Sequence, residues 1–238
     1  WRNDYELIRL QHPDMTFEKA IFGSSAVTAS YIEGREGSVG YVNIGMDYGT
    51  VKDITEAFAV LKAIAERERP EIVSFGDSET MHATGIVGWL RGDGRWKLLD
   101  GFYPALSYPE RLEIRRQALM SDLFITGVNA ISMEGSLHWL DKVGNRIAPV
   151  AFGPRKVVIV AGRNKIVADR AQAEERIRTI AAPQNVARHP GFRTPCARTG
   201  VCSDCNSPDR VCNTRMEMMR CWPAGRMLVV LIDQELGL

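Results

Sequence analysis

No stretch of this sequence approaches the roughly 20 consecutive apolar residues that a membrane-spanning helix requires. The best candidate, "MLVVLI" at 227–232, has only the length of a strand, so insertion into a bilayer is not expected. Neither sign of charge is in excess. Thirty Lys and Arg against 29 Asp and Glu leave a net charge of +1, which gives no electrostatic drive toward nucleic acid or an anionic membrane. No secretory signal opens the chain, and a reducing cytoplasm is the expected compartment. Internal repeats and low-complexity segments are also missing. The four histidines (His12, His82, His138 and His189) form no ligand set, and no Ser/His/Asp arrangement can be assembled from their positions. Most unevenly, cysteine is absent from residues 1–195 and then occurs five times between Cys196 and Cys221.

What is present reads as an alternation of helices and strands. Residues 1–50 show short β-rich pieces, "AIFGSSAVTASYI" (20–32) and "GSVGYVNIGMDYG" (37–49), broken by glycine and without a clean period. From residue 51 the pattern sharpens. Ile54, Phe58, Leu61, Ile64 and Ala65 recur at helical spacing, and Pro70 ends that helix. "EIVSFG" (71–76), "DLFITG" (122–127), "KVVIVAG" (156–162) and "RMLVVLID" (226–233) are apolar runs of strand length, as expected for strands buried on both faces. Pro109 falls in the first turn of a helix over 107–120, where a missing N–H costs nothing. Asp169 caps a second amphipathic helix that is expected to stop before Pro183. Such alternation predicts an α/β fold with a mostly parallel sheet covered by helices on both faces and an irregular Cys-rich segment near the C-terminus. Ligands gather at the carboxyl ends of the strands in such sheets.

Three strand-end loops carry candidate chemistry. In "SFGDSETMHATG" (74–85), Gly76 permits a tight exit from the strand, and Asp77, Ser78 and Thr80 offer polar groups beside the N–H groups of the following helix. A plain strand–turn–helix junction, capped by Asp77 or Ser78, fits the same residues. The loop lacks the glycine spacing of a dinucleotide fingerprint and the lysine of a P-loop, which leaves nucleotide binding little support. In "TGVNAISMEGSLHWLDKVGNRIA" (126–148), the alternation from 130 to 141 predicts a β-hairpin turning at Glu134-Gly135. Gly127, Asn129 and Asn145 are types that tolerate unusual backbone angles or bond a ligand, while Glu134 and Asp141 are acidic candidates for proton transfer. His138 beside Trp139 reads as packing. Beyond "KVVIVAG", Arg163 and Lys165 could bind an anion or could simply be surface cations.

The cysteines are spaced C-x5-C-x2-C-x6-C over Cys196, Cys202, Cys205 and Cys212, with eight residues between Cys212 and Cys221. A central C-x2-C can present two thiolates to one metal, and irregular backbone lets the outer two wrap the same centre. Four thiolates suit tetrahedral zinc or an iron–sulfur cluster. The spacing matches neither common ferredoxin pattern nor paired C-x2-C units, so it does not choose the metal. Reduced thiols without metal and disulfides are the alternatives. Cys221 is the spare, a packed thiol or an alternative ligand.

"FITGVNAISMEG", "DKVGNRIAPVAFGPRKVVIVAGRNKIV", "AEERIRTIAAP", "TPCARTGVCSDCNSPDRVCN" and "VVLIDQELGL" occur in an order that resembles the LUD domain family, named for lactate utilisation proteins. The family's G-G-S-x-T loop corresponds to Gly76-Asp77-Ser78-Glu79-Thr80, with Asp in place of the second Gly. The resemblance runs from about residue 70 to 238, dividing the chain into an N-terminal segment (1–69) and a LUD-like domain (70–238) that includes the Cys-rich segment 196–221. It implies a Rossmann-like α/β fold similar to ribose-5-phosphate isomerase, glucosamine-6-phosphate deaminase and the CoA transferases. It also implies a part in oxidising lactate, or a similar small 2-hydroxy acid, within a multi-protein iron–sulfur system. On that reading Gly76, Ser78, Thr80, Asn129 and Lys165 hold a carboxylate and Glu134 is the acid–base group. A [4Fe-4S] cluster on the cysteines passes electrons to other iron–sulfur lactate-utilisation proteins. A non-redox enzyme of isomerase, transferase or ligase type with structural zinc, using Glu134 or Asp141, is the alternative; a metabolite-sensing subunit is another. Oligomerisation is compatible with all three.

Overall fold

Apolar side chains sort onto two faces with period two along each central strand, and this sorting sets the architecture. The structure, a computed structural model, describes residues 46–238; the two N-terminal β-rich pieces up to residue 45 and His12 lie outside the described residues. Among those described, a six-stranded sheet has the order β1-β10-β7-β4-β2-β3. Its strands are β1 (Met46–Val51), β2 (Ile72–Phe75), β3 (Lys97–Leu99), β4 (Leu123–Thr126), β7 (Lys156–Gly162) and β10 (Met227–Ile232). Every pairing in it is parallel. Val157, Ile159 and Ala161 of β7 enter one core with Phe124, Val229 and Leu231, whereas Val158 and Val160 enter another with Leu123, Ile125, Val230 and Ile232. Strands buried on both faces read as continuous apolar runs, which is why these four segments were visible as sequence.

The second of these cores is closed by helices. α1 (Ile54–Glu68) buries Ala57, Leu61, Ile64 and Ala65, starts at Asp53, whose carboxylate accepts from Glu56 N at 3.0 Å, and ends at a left-handed Arg69. α2 (Glu79–Ala83) and α3 (Ile86–Gly92) add Met81, Ile86, Val87 and Leu90 to the same core. α4 (Tyr108–Gln117) opens with Pro109 in its first turn and buries none of its own residues. The opposite face is covered chiefly by a smaller sheet of order β8-β5-β6-β9, made of β5 (Ala130–Ser132), β6 (Leu137–Asp141), β8 (Ile166–Val167) and β9 (Thr214–Met218). Ile131, Leu137, Trp139 and Ile166 from that sheet pack there with Ile147 and Val150 of α5 (Ile147–Ala151). The expected hairpin is present, β5 pairing antiparallel with β6 across a turn in which Gly135 takes φ +87°. The α/β class with a mostly parallel, helix-flanked sheet therefore holds, with the small sheet sharing one face.

The helix expected to stop before Pro183 does not stop there. α6 (Arg170–Arg176) passes through a π turn (Ile177–Ala181) into α7 (Ala182–Ala187). Proline inside a regular helix removes a donor and collides with the preceding turn; the wider π turn shifts the hydrogen-bond register just before it. A short α8 (Pro195–Thr199) leads into the cysteine loop. Of the segment 1–69, its described part supplies β1, the edge strand pairing with β10, and α1.

Candidate functional site

The chain lays β3 to one side of β2, then crosses back to place β4 on the other. Loops leaving two strands at such a reversal diverge and open a crevice at their carboxyl ends. Here those are the loops after β2 and β4, and glycine allows them to approach. A Cβ on Gly127 would lie 2.7 Å from Ser78 Oγ; one on Gly76 would lie 2.5 Å from Thr126 Oγ1 and 2.7 Å from Arg146 Cγ. Trp139 Nε1 donates to Gly127 O at 2.8 Å, fixing the second loop from below.

Lys165 sits beyond the end of β7 and is only 3 % exposed. Among the described residues no hydrogen bond or ion pair reaches its ammonium group. Burial, reinforced by the positive charges of Arg176 and Arg146, lowers its pKa from 10.5 to about 7. Arg176, on the buried stripe of α6 with Ala173, donates from Nε to Asn164 O at 2.9 Å and from Nη1 to Asn129 O at 2.6 Å. Burial lowers its pKa to about 10. Arg146 donates from Nε to Asp141 Oδ1 at 3.3 Å and from Nη2 to Leu140 O at 2.6 Å, and its backbone N–H reaches Asp141 Oδ2 at 2.9 Å. Nη1 of Arg146 and Nη2 of Arg176 stay outside these bonds. Three cationic side chains thus share one region in which Asp141 pairs with Arg146, and among the described residues no carboxylate pairs with Lys165 or Arg176. Buried charge without a counter-charge is unfavourable, and a small anion would relieve it.

The structure brings Gly76, Ser78, Gly127, Asn129, Asp141 and Lys165 to this end of the sheet, but several of their polar atoms have other work. Asn129 Oδ1 accepts from Leu140 N at 2.8 Å. Ser78 caps α2, accepting from Met81 N, and Asp77 pairs with His82. Thr80 Oγ1 donates to Leu236 O at 3.3 Å, with the C-terminal residues laid against it. Asn145 is half-buried in the turn before α5. Glu134 lies elsewhere, exposed at the hairpin turn, 4.0 Å from Arg170. Arg163 also faces outward, pairing with Asp233 and Glu235. His138 is buried and bonds Ser136 Oγ at 2.8 Å, burial lowering its pKa. Arg146 and Arg176 escaped the sequence reading. The one available signal was Arg176 falling three residues after Ala173 on an apolar helical stripe.

The cysteine loop is tied to the same region. Asn213 N donates to Asp141 O at 3.1 Å, and Cys212 packs with Leu140, Ile177 and Ala182. Arg178 binds Cys202 O and, at 2.7 Å, Asp204 Oδ2, while Arg210 binds the carbonyls of Cys205 and Cys212. The Cys212 thiol, and more distantly Cys205 and Cys202, raise the pKa of Arg210, whose buried Nε has no partner among the described residues. Cys196 packs apart, with Val186 and Val211, its sulfur 3.2 Å from Thr194 Oγ1. Cys221 is buried in the main core. Four thiols are the right donor type for a soft metal. In this structure their sulfurs are not gathered on one centre: among the described residues no three His, Cys, Asp or Glu side chains form a metal-holding group.

Among the described residues no helix is long and apolar enough to cross a membrane. Comparison with curated proteins gives no match. A crystal structure of a DUF162 family protein from Deinococcus radiodurans is similar at 18 % identity and a TM-score of 0.43, covering 89 % of this chain and 99 % of that one. The LUD domain profile matches residues 42–232, thereby taking in β1 and α1 as well as the segments quoted above. The chain belongs to the LUD domain family, and with it to lactate utilisation in general.

Proposed function

We propose that this chain binds a short 2-hydroxy or 2-oxo carboxylate, of the lactate and pyruvate kind, at the cationic region of Lys165, Arg146 and Arg176, as a component of lactate oxidation. The observation that carries this reading is the Lys165 ammonium, 3 % exposed and without a counter-charge among the described residues. Carboxylate is the natural partner of paired guanidinium groups, which can bind it through two N–H donors at once. Asp141 takes the acid–base role, being buried and held in place by Arg146. Glu134, exposed and engaged with Arg170, is too far removed from this arrangement to share that role.

Cys196, Cys202, Cys205 and Cys212 are the proposed holders of a [4Fe-4S] cluster, with zinc as the alternative, a role that requires the loop to draw their sulfurs together. When bound, a cluster would take up electrons and pass them to other iron–sulfur proteins of lactate utilisation in the cytoplasm. The bond from Asn213 to the strand carrying Asp141 supports this, since it keeps the loop next to the carboxylate region. Carboxylate binding at Lys165 does not depend on the cluster.

Titration calorimetry of the full chain with lactate and with pyruvate tests the reading. Saturable one-site binding is expected, weakened about tenfold or more in Lys165→Met, the scale of one lost charge-assisted contact. Failure of both acids to bind would overturn it.

A further inference from the structure

A buried lysine surrounded by cations is suited to more than holding an anion. We infer that Lys165 Nζ forms an imine with the carbonyl carbon of a 2-oxo acid, while Arg146 and Arg176 hold that acid's carboxylate. This inference rests on the carboxylate-binding reading above and extends it to covalent chemistry.

The geometry supplies three requirements. An amine nucleophile must be unprotonated, and an amine that donates to no carboxylate and is packed away from water is not held in its charged form. Lys165 comes close to that condition, being 3 % exposed with no ion pair among the described residues, while Nζ itself keeps a small opening to solvent through which an acid can reach it. The groups that act on its charge are Arg176 from α6 and Arg146 from the turn after β6, and both favour the free amine, in keeping with a pKa of about 7. The carboxylate must also be gripped separately, so that the adjacent carbonyl faces the amine; Arg146 Nη1 and Arg176 Nη2 remain free of the bonds that fix those side chains. Finally, a proton carrier must lie close by, and Asp141 is hydrogen-bonded to Arg146.

The step is balanced. The Lys165 nitrogen lone pair forms a C–N bond to C2 as the C=O π pair moves onto oxygen, and a proton passes from nitrogen to that oxygen. A second proton, passed through Asp141 from solvent hydronium, lets the C–O bond break with loss of one water, so amine, oxo acid and one proton give the imine cation and water. The product is a protonated imine; no oxidant or reductant is consumed.

Borohydride added to the full chain in the presence of pyruvate tests this, with intact-mass and peptide analysis and parallel calorimetry. One reduced pyruvate on Lys165 is expected, at more than about tenfold the labelling of any other lysine, because an amine of lowered basicity is unprotonated in a far larger fraction at neutral pH than a surface lysine. Lys165→Arg, which keeps the cation, should bind pyruvate and give no adduct. Pyruvate binding without a trapped adduct would overturn the imine and leave the carboxylate reading standing. Labelling spread over surface lysines would likewise overturn it, and absence of binding would overturn both.

Discussion

Arg176 Nη1 donates at 2.6 Å to the backbone carbonyl of Asn129, 47 residues earlier in the chain, while its Nε holds the carbonyl of Asn164. One guanidinium thereby joins α6, the loop leaving β4 and the residue before Lys165. Replacing Arg176 with Ala would strip two carbonyls of their donors in a region closed to water. The expected cost is about 2–4 kcal/mol, a fall of roughly 5–12 °C in Tm for a chain of this size. Lys at 176 keeps the charge but cannot span both carbonyls, so it should recover only part of the loss. A melting curve for Arg176→Ala that overlays the parent would show that the clamp carries no stability.

Lys165 gives stability a pH dependence of definite sign. Its pKa falls from 10.5 in the open chain to about 7 when folded. Between those values the unfolded chain binds more protons, so stability rises with pH, by at most about 1.4 kcal/mol per unit. Below about pH 7 both states carry the proton, and the native state bears the full penalty. Lys165→Met should therefore be more stable than the parent at and below neutral pH, by a margin that shrinks as pH rises toward 10. Urea unfolding of both proteins across that range measures it; a margin independent of pH would contradict the uncompensated charge.

Gly127 and Gly76 mark where two loops touch. Gly127→Ala places a methyl 2.7 Å from Ser78 Oγ and 3.0 Å from Ser78 Cβ, contacts that force the loop after β2 outward at a cost of about 1–3 kcal/mol. Weaker pyruvate binding, by about tenfold, should accompany it if the crevice is the site. Gly88→Ala is the control, since nothing lies within 4 Å of the added Cβ. Equal effects of the two substitutions on binding would remove the crevice from the account.

Metal analysis decides the role of the cysteines. Anaerobically purified protein should be brown and contain about four irons per chain, the content of one cubane. Replacing Cys202 or Cys205 with Ser should remove that iron, whereas Cys221→Ala, in the main core, should leave iron unchanged and lower stability by about 1–2 kcal/mol. Stoichiometric zinc in a colourless protein would instead support the alternative.

The sequence alone determined the central strands, because a strand covered on both faces must be apolar at every position, as Val157 to Ala161 are. It also determined the hairpin, since period-two alternation interrupted by Glu134-Gly135 leaves little else to form, and it carried enough ordered segments to indicate the family. The tertiary structure decided where the charges go. It set Glu134 on an exposed turn, brought Arg146 and Arg176 to Lys165, and joined β1 to β10 across the length of the chain. Local propensity acts over a few residues and leaves its period in the sequence. A site built from β4, β6, β7 and α6 exists only through contacts between segments distant in the chain, and no local pattern encodes which cations those contacts leave without a counter-charge.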